Sequence, residues 1–427
     1  MAIQQLYNVS GLFDANRPFV WKYKSTNGAV NIVYRVQIWN ATSGMYVSVT
    51  GLMRQPLAWG SSNEFLIDPS QLLIDEMTTT CVARNGGGAI TLHDNAQKFR
   101  LLMVEEYFTS SNGHYFDSNE SNWLPSYVGY CIGAAVQHHE TYGATQDEWL
   151  QQYVVRSGTW EGKFLTNRPN KMIAYIEDSQ YNHIFHYTKS CEVRAFIKGV
   201  NGSMSTHFAI TNLLNDSGKV LAIGMGVPNI QKFLGTWAWA GYLSSVGGEL
   251  ASVHYYIYDN FNNMYLSRVY SYRIAENCSA ERCRVYWQNR KGGVDGYTFK
   301  GELSITNSIK KKKFRGVLGH RRHRTEDENS SDYAKHNTFN QRTRTGANIS
   351  IKAKEKINLI SQPHKKDELR WLSEIYTSPK IWVESLENGR IISASCLSQK
   401  ASLKTGGTSI DSIKLSLELS NDITTQR

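Results

Sequence analysis

The chain has 427 residues, 41% of them apolar, 20% charged and 12% aromatic, with only 8 prolines. That balance supplies modest hydrophobic cores for two or three domains and excludes disordered, collagen-like and proline-rich architectures. Formal net charge is +10, and residues 301–370 hold 17 basic against 8 acidic side chains, so a nearly neutral body carries one basic segment.

The start, Met1-Ala-Ile-Gln-Gln-Leu-Tyr7, has neither the basic residues nor the apolar stretch of a secretory signal. The most apolar run, 220–227, is far short of the ~20 residues that cross a bilayer. These features predict a soluble protein made in a cytoplasm, with no membrane-spanning segment. Residues 31–39 alternate Tyr34, Val36 and Ile38 with Arg35 and Gln37, the period of a half-buried strand. Cap chemistry at Asp68 and Ser70 predicts a short helix over 68–76, and Thr145 with Glu148 forms a candidate capping box. Small polar residues at 157–162 suggest a joint. Beyond it, the breaker Arg168-Pro169 precedes a strand at 171–176. Strands at 253–258 and 264–270 flank a polar link resembling a hairpin turn. A second joint falls at 275–281.

Residues 308–349 open with Lys310, Lys311, Lys312 and Lys313, pass through Arg321, Arg322 and Arg324, and hold almost no apolar residue after Leu318. Such a segment buries no core and reads as a long projecting hairpin or a mobile loop. Next, Leu369, Leu372 and Ile375 recur at helical spacing, with acids in the first turn and Pro379 as the stop. Finally, Ile413, Leu415, Leu417 and Leu419 alternate with polar residues in the clearest one-sided strand. The fold class expected is mainly β, with consecutive β-sandwich domains over 1–160, 161–276 and 277–427.

Chemistry-bearing motifs are scarce. The six cysteines are scattered, and the pair Cys278 and Cys283 lacks the second ligand pair that a zinc site needs. Gly158-Thr-Trp-Glu-Gly-Lys163 is one residue short of a phosphate loop, and Phe164 replaces its hydroxyl. His138 and His139, like His183 and His186, fall on opposite strand faces. Asp117, Glu140 and Glu148 have no spacing that marks a glycosidase pair. No catalytic residue, metal ligand or cofactor site is therefore assigned. Trp237 and Trp239 share one face if that segment is a strand, which would make a sugar-stacking platform with the tyrosines of 255–258; the alternative is that these aromatics fill cores and subunit contacts. The basic segment has three readings: phosphate contact, contact with an acidic neighbouring subunit, or a solvated tip. Its alternating signs and few aromatics weaken the first.

Three stretches carry a family likeness. They are Phe164-Leu-Thr-Asn-Arg-Pro169 leading into a strand; Val285-Tyr-Trp-Gln-Asn-Arg-Lys-Gly-Gly-Val-Asp-Gly-Tyr-Thr-Phe299; and Leu369-Arg-Trp-Leu-Ser-Glu-Ile-Tyr-Thr-Ser-Pro-Lys-Ile-Trp-Val383. Over residues 160–427 this order resembles tail structural proteins of tailed bacteriophages, particularly those of crAss-like and related phages. The resemblance implies a non-enzymatic virion component of the tail-hub or distal-tail type. Its last domain would be tail-tube-like, with a flanking helix and a long basic hairpin. It further implies a homo-oligomeric ring, hexameric or larger, around a channel that DNA crosses transiently, with other tail or connector proteins as neighbours. The basic excursion departs from the acidic or neutral lumen of that family, which assigns it to an adjacent ring or the periphery. Candidate interface residues are Lys310, Lys311, Lys312, Lys313, Arg321, Arg322 and Arg324. Candidate packing residues of the last domain are Trp371, Leu372 and Trp382. Gly292, Gly293 and Gly296 fit a tight strand connection through their tolerance of positive φ. The alternative is a receptor- or carbohydrate-binding tail protein.

Overall fold

The computed structural model describes residues 3–7, 12–16, 20–25, 28–40, 43–58, 63–77, 79, 81, 88–92, 96–109, 113–126, 128–134, 154–155, 163–186, 191–210, 219–275, 282–300, 303–315, 346–384, 390–398 and 411–423. Outside these lie the capping box at 145–148, His138, His139 and Glu140, the joint at 157–162, all of the joint at 275–281 except Ala275, Cys278, and Arg321, Arg322 and Arg324.

Five sheets make the protein mainly β. In the amino-terminal third, a three-stranded sheet (Ile3–Tyr7, Trp21–Ser25, Glu64–Ile67) accompanies an eight-stranded one built around Asn31–Asn40 and Ala96–Thr109. They share a core in which Trp21, Tyr23, Phe65 and Ile67 from the first meet Tyr34, Val36, Phe99 and Leu101 from the second. The period-two pattern of 31–39 thus reports a real face, and Trp21 stacks on Phe99 at 5.5 Å between ring centres. Val33 points the other way, into a small cluster with Leu102, Val104 and Trp123.

The remaining three sheets share one apolar cluster. A four-stranded sheet orders Val154–Val155, Tyr181–His186, Lys219–Gly224 and Ala89–Leu92. Its last strand comes from early in the chain and pairs antiparallel with Lys219–Gly224, Val220 opposite Leu92. A six-stranded sheet runs Lys171–Tyr175, Tyr270–Ala275, Leu250–Asp259, Cys191–Gly199 and Phe208–Ala209, with Met264–Tyr265 on Leu250–Asp259. A seven-stranded sheet orders Val294–Phe299, Cys283–Gln288, Ile381–Glu384, Ile391–Cys396, Lys414–Ile423, Gly346–Ile360 and Leu303–Arg315. Ile413, Leu415, Leu417 and Leu419 all enter the shared cluster, as their alternation predicts. Leu303–Arg315 and Gly346–Ile360 form the two arms of the expected basic hairpin.

The predicted late helix is present as Lys366–Leu372, continued by a 3₁₀ turn over Ser373–Thr377. Asp367 and Glu368 occupy its first turn, where the helix dipole favours acids. The early helix is shorter than expected, Ser70–Ile74. The segment 237–239, on whose being a strand the sugar-stacking alternative depended, is helical. Val227–Leu234 and Thr236–Ser245 form two consecutive helices broken at Gly235, whose φ of 80° excludes most side chains. A step of ~100° per residue then separates Trp237 and Trp239 by about 200°. Trp239 is buried and Trp237 is 93% exposed, so the paired-indole platform does not form.

Candidate functional site

The three stretches that carry the family likeness converge on one buried polar seam. Phe164 enters the shared core, and its neighbours present polar atoms on either side. Thr166 Oγ1 donates to Asp295 Oδ2 at 2.8 Å, and Trp371 Nε1 donates to the same oxygen at 2.8 Å. Asn167 Nδ2 donates to Glu374 Oε1 at 2.8 Å. Arg168 donates to the hydroxyls of Tyr255 and Tyr272. Asn289 Nδ2 closes the group onto the Leu165 carbonyl at 2.7 Å, while its Oδ1 accepts from Lys291 N and Gly293 N. A buried polar group without partners costs heavily, so these mutual bonds are the condition for drying the seam.

Burial sets the electrostatics. It pushes Asp295 above the usual carboxylate range, while Arg168 and the Trp371 and Thr166 hydrogen bonds pull it back. Burial first, and then the nearby Asp295 charge, push Glu374 up to about 7 against the Asn167 hydrogen bond. His183 is held down at about 3 by burial and stays neutral. Its Nδ1 accepts from Val294 N at 3.2 Å, and its Nε2 finds no partner. A second buried group flanks the seam, where Arg284 Nη1 lies 3.2 Å from Asp178 Oδ2 and donates to Thr298 Oγ1 at 2.8 Å.

A cleft of about 30 Å³ opens beside Arg168, Asp178, Tyr297, His364, Glu368 and Trp371. That is room for one or two waters and not for a substrate. In its wall His364 bridges Tyr297 OH (2.7 Å to Nε2) and Glu368 Oε2 (2.8 Å to Nδ1). The carboxylate only accepts, which assigns a proton to Nδ1. The hydrogen bond from His364 holds Glu368 below its ordinary value. Burial, however, pushes the Tyr297 phenol upward, opposite to an activated nucleophile. Glu368 Oε2 also accepts from Lys365 N at 3.3 Å, so the relay doubles as the helix cap.

Of the residues singled out from sequence, Trp371 and Leu372 are fully buried, and Trp371 packs on Trp287 at 5.1 Å. Trp382 is corrected: Ile381 and Val383 take the core face of that strand, and Trp382 sits half-buried on the other, opposite Tyr286. The glycines are corrected in part. Gly292 has a φ of 84° in the turn closed by Asn289. Gly293 and Gly296 are required by crowding instead: a Cβ on Gly293 would lie 2.5 Å from the Leu165 carbonyl, and one on Gly296 2.8 Å from Tyr286. Gly296 lies inside the strand Val294–Phe299 and not in the turn. Lys310, Lys311, Lys312 and Lys313 lie in the outer part of strand Leu303–Arg315. Asp117 is a loop cap, accepting from Asn119 N and Asn122 Nδ2. Sequence reading missed Asp295 and Glu374, although an acid in Val294–Phe299 directly opposite Trp287 is a usable signal.

No family model matches the chain, and no curated protein matches it. Among solved structures, the calcium-binding domain CBD12 of CALX1.1 aligns over 63% of this chain and 80% of its own, at 11% identity and a TM-score of 0.15. CBD12 from CALX1.2 aligns over 60% and 79%, at 8% identity and a TM-score of 0.17. Likeness at that level carries nothing about fold or ligand. Among the described residues, no group of three or more His, Cys, Asp or Glu could hold a metal ion, and no helix is long and apolar enough to cross a membrane.

Proposed function

We propose that this chain is a non-enzymatic structural component of a phage tail, a hub, distal-tail or adaptor protein that works in the virion as a homo-oligomeric ring around the DNA channel. The observation that carries the reading is the two-stranded arm. Among the described residues, Gly346–Ile360 pairs with Lys414–Ile423 as far out as Ala353, and its pairing with Leu303–Arg315 continues from Lys310 opposite Lys352 to Arg315 opposite Gly346. At ~3.4 Å per residue this two-stranded part is roughly 20 Å long. A two-stranded ribbon suits docking onto a neighbouring protomer or onto another tail or connector protein, through heterologous contacts that close by rotation. Trp237, an exposed indole on a helix without charged residues, is a second anchor of the kind that dominates interfaces. The seam serves this role by fixing the sheets relative to one another. The alternative, a carbohydrate-binding tail protein, loses its main support with the separation of Trp237 from Trp239.

Particle mass and negative-stain imaging of the purified full chain test the reading. A discrete symmetric ring is expected, lost when Lys310, Lys311, Lys312 and Lys313 are replaced by Ser. A protein that stays monomeric at high concentration and never enters virus particles would overturn it.

A further inference from the structure

The outer face of the six-stranded sheet carries an unassigned cationic and aromatic surface. Met172, Tyr272, Val253 and Ile197 turn into the shared core, so strand alternation forces the residues between them outward. Register then fixes two cross-strand rows. One runs Lys171, Ser271, His254, Phe196; the other runs Ile173, Arg273, Ser252, Lys198. Lys171, Arg273 and Lys198 therefore surround two serine hydroxyls and an imidazole, and none of the three makes an ion pair with a described residue. His254 Nε2 lies 2.8 Å from Ser252 Oγ. Burial, then the charges of Lys198 and Lys171, hold this histidine down at about 4, which places both ammonium groups within electrostatic reach of one imidazole. The acid of this face, Glu192, is engaged by Arg194.

Aromatic rings continue from this triangle. Phe196 is stacked between His254 (4.6 Å) and His207 (4.8 Å), and His207 leads to Tyr256, Tyr265 and Tyr258; Phe196 and Tyr256 are buried and hold this row in place beneath Tyr265. At the far end Tyr265 is 54% exposed. None of the three cations is ion-paired with a described acid, and an anion entering among them would supply the counter-charge. A polymer that alternates anionic groups with flat rings would satisfy both halves of the surface at once, phosphates at the cations and a base on Tyr265. A duplex keeps its bases stacked inside and would leave the exposed ring unused.

We infer that the outer face of this sheet, from Lys171, Arg273 and Lys198 to Tyr265, binds single-stranded nucleic acid. The surface is independent of the tail assignment and belongs to a different sheet from Lys310–Lys313.

Fluorescence anisotropy with a labelled oligothymidylate of about 20 nucleotides tests it on the full chain. Binding is expected to weaken steeply with salt. Replacing Lys171, Lys198 and Arg273 together by Gln should lower the slope of log affinity against log salt by about 2. Tyr265→Ala should weaken binding by roughly fivefold or more at unchanged salt slope. Both sets lie at surface positions, and a circular-dichroism melt verifies folding. For the triple variant, Lys171→Gln alone, with a slope change of about 0.7, serves as the milder check. Absence of binding at low salt would refute the inference. So would equal affinity for duplex DNA or dextran sulfate with no effect of Tyr265→Ala. Binding that survives the triple variant but disappears when Lys310, Lys311, Lys312 and Lys313 become Ser would move the activity to the ribbon and refute it as well.

Discussion

Glu374 offers a quantitative test of how dry the seam is. Its carboxyl titrates at about 7 in the folded chain against an ordinary value of 4.5. Between those two values the folded state holds a proton that the unfolded state has released. Stability from this group is therefore complete below pH 4.5 and is lost as pH rises through 7. A difference of about 2.5 units at 1.36 kcal/mol each is worth about 3 kcal/mol. His183 works in the opposite direction, since its folded value of about 3 means stability falls as pH drops below 6.5. The wild-type profile alone therefore mixes the two, and a variant must separate them. Glu374→Gln keeps an oxygen to accept from Asn167 and never acquires a charge. Urea unfolding followed by tryptophan fluorescence from pH 4 to 9 should show the variant gaining about 3 kcal/mol on the wild type between pH 4.5 and 7, then a plateau. A difference that does not vary with pH would mean that water reaches Glu374 and that the seam is not the closed joint described here.

Two further substitutions probe the fold. Gly293→Ala should cost about 1–3 kcal/mol, because the new methyl meets the Leu165 carbonyl and that backbone cannot yield without opening the seam; Gly51→Ala, with open space around it, should change stability by less than about 0.5 kcal/mol, and equal melting shifts for the two would contradict the crowding argument. Trp239→Ala should cost about 3–5 kcal/mol in chemical denaturation, whereas Trp237→Ala should leave stability within about 0.5 kcal/mol and weaken self-association in sedimentation; a Trp237 variant that assembles like wild type would remove that indole from the interface.

Local pattern carried the reading of the fold as far as local forces decide it. Ile413, Leu415, Leu417 and Leu419 declare their strand because one face is buried and the other is not. The late helix was legible from its spacing and from Asp367 and Glu368 in the first turn. The helices over 227–245 were not: Trp237 and Trp239 at a spacing of two imitate a strand, and the informative residues were Pro228 in a first turn and Gly235 between the helices. The seam was hidden for a different reason. Thr166 and Asp295, or Asn167 and Glu374, are brought together by tertiary packing across more than a hundred residues, and no short window holds both partners. Gly293 looked like a turn residue because the sequence shows a glycine's freedom but not the carbonyl that crowds it.

Among the described residues, the strand Ala89–Leu92 finds its partner in Lys219–Gly224. During synthesis, at about 5–20 residues per second, its backbone waits on the order of 10 s after leaving the ribosome before that partner emerges. Throughout that interval the nascent polypeptide exposes an open edge to any neighbouring β-chain. Early truncations of this protein would inherit the same edge permanently, with coaggregation as the consequence.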